Sequence, residues 1–146
     1  MATFSRSATV DWAGSLMEGK GQVGVAAGTV KLPVTFPSRI GEPEGHSSPE
    51  ELMAASHAVC YAMGLNATLG RKGGSAARTV VTATVIADKG ESGIKLTTSK
   101  LTVVAEGLQG IDKAQFAEIA REAETKCPIS NAIRGTMKIE VEASVK

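Results

Sequence analysis

From Leu52 to Leu69 the chain carries no charged side chain and is apolar or small at nearly every position. The residues just before it form a helix start. Ser48 suits the N-cap, Pro49 the first helical position, and Glu51, three residues after Ser48, completes a capping box. Gly70, Gly73 and Gly74 supply the stop, with Arg71 and Lys72 near the negative helix end. A helix that is apolar all round is buried on all sides. A chain of 146 residues has little interior in which to surround one that long. Burial against a second copy is therefore expected, and with it a homodimer.

The flanking segments predict an α+β fold of antiparallel sheets around that central helix, in one domain over residues 1–146. Thr3 to Trp12 reads as strand, and Gln22 to Phe36, rich in Val and Thr, as one or two more. Pro37 to Ser47 holds two prolines and two glycines and reads as a loop carrying Arg39. Arg78–Asp88 and Gly93–Glu106 read as a hairpin, Asp112–Thr125 as an amphipathic helix, and Lys126–Gly135 as a short helix with Pro128 in its first turn. Thr136–Val145 alternates Met137, Ile139, Val141, Ala143 and Val145 with polar residues, as a half-buried strand does.

Charge narrows the partners. With Lys plus Arg at 16 against Asp plus Glu at 15, and no run of like charges, neither a nucleic acid nor an anionic membrane surface is favoured. The apolar stretches are too interrupted to span a bilayer, and no basic segment followed by a signal-type apolar run opens the sequence, so a cytoplasmic location is expected. Aromatic residues make up only 3%, which leaves the core to Ala, Val, Ile, Leu and Met.

In a reducing compartment the two cysteines, Cys60 and Cys127, are candidates for redox chemistry, metal binding or plain burial. Cys60, in mid-helix, alone would read as an inert small hydrophobe. Cys127 precedes a proline at a helix start, where backbone N–H groups favour thiolate. Two thiols are the minimum for a cycle in which one is oxidised to sulfenic acid and the other closes it to a disulfide. A thiolate among apolar groups needs a cation, for which Arg39 is available, and a buried guanidinium needs an anion, for which Glu50 is freer than the capping Glu51. Glu50 and Cys60 lie ten residues apart, about 15 Å along a helix axis, so direct contact within one helix is excluded. Two copies packed antiparallel would bring Arg39 and Glu50 of one subunit to Cys60 of its partner.

Residues 48–60, Ser-Pro-Glu-Glu-Leu-Met-Ala-Ala-Ser-His-Ala-Val-Cys, with Arg39 before them and Cys127-Pro128-Ile129-Ser130 after, resemble the OsmC/Ohr family over essentially the whole chain. The position of Arg39, in the loop before the helix rather than in the N-terminal hairpin, resembles the OsmC branch. The resemblance implies a thiol-dependent peroxidase that reduces organic hydroperoxides, built as an intertwined homodimer with interfacial sites. It implies Cys60 as peroxidatic and Cys127 as resolving cysteine, Arg39 as the activating cation and Glu50 as its orienting carboxylate. No metal, flavin or haem is implied; the reductant would be an external dithiol of the lipoyl type. Tyr61 stands where many relatives carry Phe, a change in what would be the pocket wall. Two rivals compete: a zinc site from His46, His57, Cys60 and Cys127, which lacks a second close ligand pair, and a non-catalytic module that binds a hydrophobic ligand in the same pocket.

Overall fold

The structure, a computed structural model, describes residues 2–146. The segment up to Pro49 forms one compact unit and Glu50–Lys146 a second.

In the first unit β1 (Thr9–Ala13), β2 (Lys20–Val25) and β3 (Val30–Val34) make an antiparallel sheet in that order. The first strand is shorter than the expected Thr3–Trp12, and the Gln22–Phe36 segment is broken by a turn in which Ala26, Ala27 and Gly28 all take positive φ. Gly21 lies opposite Trp12, and a Cβ added there would sit 2.6 Å from indole Cε3, so glycine is what lets the ring lie across the strand. The loop expected over Pro37–Ser47 is corrected at its start: Phe36–Ile40 is a short helix, α1. The Thr35 side chain caps it by accepting from the Ser38 N–H, and Pro37 sits in the first turn, where its missing N–H costs nothing.

In the second unit α2 (Pro49–Arg71) leads into the hairpin of β4 (Arg78–Gly90) and β5 (Gly93–Glu106), followed by α3 (Lys113–Lys126), α4 (Pro128–Ile133) and β6 (Lys138–Val145). Gly70 lies inside α2 rather than ending it, and Gly73, at φ +81, follows the last turn. The expectation of purely antiparallel sheets fails at one pair. β6 joins β5 in parallel, from Thr98 opposite Lys138 to Ala105 opposite Val145. The α3–α4 crossover brings the chain back to the end from which β5 set out, and a connection of that length closes a parallel pair.

The core of this unit is one cluster. Leu101, Val103 and Ala105 point inward at alternate positions of β5 and meet Phe116, Ile119, Ala120 and Ala123 of α3 and Tyr61, Leu65 and Leu69 of α2. The last three follow one another at the four-residue spacing of a single helical stripe. Tyr61 is wholly buried in this core, not in a pocket wall, and its hydroxyl donates to the Ala120 carbonyl at 2.9 Å. Asp112 and Gln115 form a reciprocal capping box at the start of α3.

A single copy of the chain does not bury α2 on all sides. His57, Tyr61, Leu65, Thr68 and Leu69 are buried, whereas Val59 is 55% and Met63 70% exposed. Among the described residues no helix is long and apolar enough to cross a membrane.

Candidate active site

Cys127 occupies the joint between α3 and α4, capping the end of one and the start of the other in an extended conformation, φ −72 and ψ 119. Pro128 dictates this, because its ring excludes the residue before it from the helical region. The Cys127 N–H donates to the Glu124 carbonyl at 3.1 Å and its carbonyl accepts from Asn131 at 2.9 Å, so the backbone at the joint is held on both sides. The side chain is buried in the core cluster.

Cys60 lies one residue before the core tyrosine, half-buried at the edge of the α2 stripe. It packs against the cluster that holds Cys127, and the Cys127 side chain and the Ile129 N–H are the polar groups that act on its thiol. Burial pushes the Cys60 thiol above its ordinary pKa; the Ile129 N–H pulls it down and the neighbouring Cys127 pushes it up again. Left to these neighbours, Cys60 at neutral pH is a thiol rather than a thiolate.

His57, one turn before Cys60, is fully buried. Its Nδ1 shares a hydrogen bond of 2.7 Å with the Ser99 hydroxyl of β5, and its Nε2 one of 2.7 Å with the Ser130 hydroxyl of α4. Glu124, at the end of α3, takes Arg134, just past α4, at 2.5 Å and so brackets the segment that carries Cys127. These contacts leave the zinc arrangement without its histidine, since both His57 ring nitrogens are engaged by serines. His46 belongs to the other unit, where its Nδ1 meets the Pro43 carbonyl at 3.2 Å. No group of three or more His, Cys, Asp or Glu able to hold a metal occurs among the described residues.

Desolvation lowers the His57 pKa below its ordinary 6.5, with Glu124 opposing in part. The folded state thus binds the proton less readily than the unfolded one. The stabilisation from a neutral His57 is present above pH 6.5 and lost as pH falls through the lower folded value. Melting temperature is expected to fall on acidification below that point, and to fall less steeply in His57→Gln. A variant whose acid branch overlays the wild type would contradict this.

The remaining expected residues stand elsewhere. Arg39 lies in the last turn of α1, its N–H donating to the Thr35 carbonyl at 3.2 Å, in the first unit. Glu50 is in the first turn of α2. About 15 Å of helix separates it from Cys60 of the same copy, so one copy does not bring these two together. Ser99, Glu124, Ile129 and Ser130 join the site without a role assigned to them from residue type or spacing. The position of Ser130, one turn after Cys127 on the same short helix, was a visible signal; nothing in the sequence marked Ser99.

A match to the family described as OsmC-like protein extends over residues 41–142, which takes in both cysteines and the whole of α2. The chain belongs to the OsmC-like family. It is 31% identical over 142 residues to a protein named peroxiredoxin OsmC from Escherichia coli K12, covering 96% of this chain and 97% of that one. Two solved OsmC-like folds superpose closely at 24% identity. An organic hydroperoxide resistance protein from Elizabethkingia anophelis, crystallised with thiocyanate bound, gives a TM-score of 0.76 with both chains covered completely. One from Legionella pneumophila gives 0.75, with 97% of this chain and 99% of that one covered.

Proposed function

We propose that the chain is a thiol-dependent peroxidase that reduces organic hydroperoxides to alcohols, acting in the cytoplasm as a single OsmC-like domain completed by a second copy. One observation carries the proposal: in an OsmC-like chain the half-buried Cys60 packs against the core cluster that holds the buried Cys127. The half-buried thiol, Cys60, is the one a substrate can reach. Its thiolate attacks the distal peroxide oxygen, an S–O bond forms as the O–O bond breaks, and the alkoxide leaves as alcohol after taking a proton. Cys127 then attacks the sulfenic sulfur, water leaves, and the Cys60–Cys127 disulfide is returned to two thiols by an external dithiol, for which a lipoyl-type dithiol is chemically suited. No bound cofactor enters this cycle.

The raised pKa of Cys60 calls for a cation. In this proposal Arg39 supplies it and Glu50 orients Arg39, both from the second copy. The exposed apolar residues Val59 and Met63 on α2 favour a partner copy there. The test mixes copies. Cys60→Ser and Arg39→Ala chains are each inactive alone, but dissociated and reassembled together they form dimers in which intact Arg39 faces intact Cys60. Up to half of the dimers then carry one working site, so recovery of about a quarter of wild-type peroxide consumption is expected. No recovery, with mixed dimers confirmed by native mass spectrometry, would place Arg39 on its own chain's Cys60 or outside the chemistry.

A further inference from the structure

His57 precedes Cys60 by three residues on α2, and Ser130 follows Cys127 by three at the start of α4. Residues three apart on a helix are neighbours on one face. The two segments therefore face each other along one turn: Cys60 packs against the cluster that holds Cys127, and His57 Nε2 shares a 2.7 Å hydrogen bond with the Ser130 hydroxyl. Ser99 holds the opposite ring nitrogen, so the imidazole is fixed from β5 and presented to α4. All three side chains are fully buried, and every member of the chain has a partner.

α4 has only six residues, too few to hold its own orientation, because helices that short are unstable without tertiary contacts. The Glu124–Arg134 pair brackets it from outside. The His57–Ser130 bond is what ties it to the helix that bears Cys60. Disulfide closure is demanding in geometry: the sulfurs must come to about 2.05 Å with a dihedral near 90°. The less the two thiols must move to reach that geometry, the faster the disulfide closes.

We propose that His57 and Ser130 are positioning residues for resolution: their hydrogen bond keeps Cys127 in register with Cys60, so that the sulfenic acid is closed to a disulfide before a second peroxide oxidises it further. This rests on the peroxidase function proposed above. Neither residue touches the substrate, and the first oxidation of Cys60 does not depend on them. The competing fate of the sulfenic acid is the sulfinic acid, formed when a second hydroperoxide transfers oxygen to sulfur and leaves as alcohol. The ratio of sulfinic acid to disulfide at Cys60 therefore reports how well Cys127 is placed.

That ratio is measured by mass spectrometry after excess cumene hydroperoxide acts on the reduced full chain without added dithiol, and the first step is followed separately by the rate of Cys60 thiol loss. Ser130→Ala is expected to raise the ratio about tenfold, the effect of a sub-ångström misplacement of reacting groups, while leaving the rate of thiol loss unchanged. His57→Phe removes the same bond from the other side, together with the bond to Ser99, keeps an aromatic ring in the space, and must give a comparable rise. Ser99→Ala deletes an equally buried bond on the β5 side of the ring but leaves the His57–Ser130 bond in place, so its ratio rises much less than that of Ser130→Ala although its stability falls. An unchanged ratio in folded Ser130→Ala, or in His57→Phe should Ser130→Ala not fold, overturns the inference, as does an equal rise in Ser99→Ala. A wild-type chain that forms no Cys60–Cys127 disulfide overturns the peroxidase proposal and the inference together.

Discussion

Cys60→Ser is expected to abolish turnover of cumene hydroperoxide with a dithiol reductant, a loss of at least about 10³-fold in kcat/KM. A serine hydroxyl has neither the acidity nor the polarisable lone pair that lets a thiolate displace an alkoxide from a peroxide, and Cys127 cannot substitute, because it is buried in the core cluster at the α3–α4 joint. Cys127→Ser separates the two halves of the cycle. The first equivalent of peroxide is consumed at the wild-type rate, after which turnover stalls by about 10²-fold and Cys60 accumulates as sulfenic and then sulfinic acid. Cys60→Ser consuming peroxide as fast as wild type would remove the proposed function; equal loss of the first step in both variants would remove the division of labour between the thiols.

Phe116→Ala is expected to lower the unfolding free energy by about 3 to 5 kcal/mol, the usual cost of emptying a phenyl-sized volume in a packed core. Phe116 is 1% exposed and the largest α3 side chain in the cluster shared by α2, α3 and β5. In a core so poor in aromatic residues few side chains can move in to fill the space. Urea titration should show a lower midpoint at an unchanged slope. Because α3 ends on Cys127, the variant should also resolve its sulfenic acid poorly at temperatures where it remains folded. A loss below about 1 kcal/mol would mean that the cluster collapses around the missing ring.

Much of the second unit is legible in the sequence because local chemistry and tertiary role agree there. The stretch from Ser48 to Leu69 could only be a long helix, Pro128 and Gly135 bounded α4, and the hairpin strands from Arg78 to Glu106 announced themselves by β-branched residues around a Gly-rich turn. What escaped was of two kinds. The helix α1 was hidden because two prolines close together look like a loop, whereas a proline in the first turn is compatible with helix, and Thr35 with Ser38 was the cap to notice. The direction of β6 was hidden because alternation has the same period in parallel and antiparallel strands, and only the crossover through α3 and α4 decides it. At the site, the two cysteines stood out by chemistry alone. The serines at 99 and 130 did not: a buried hydroxyl opposite a buried imidazole is a fact of packing between segments 42 and 73 residues away from His57.

Cys60 and Cys127 of one chain are proposed to form the redox pair. The most direct test of that pairing treats the reduced protein with a single equivalent of cumene hydroperoxide, blocks remaining thiols, and maps the digest by mass spectrometry without reduction. The predicted result is one linked peptide joining Cys60 to Cys127, with the protein still migrating as a single chain on a denaturing gel. A free Cys127 beside an oxidised Cys60, or a disulfide that joins two chains, would contradict it.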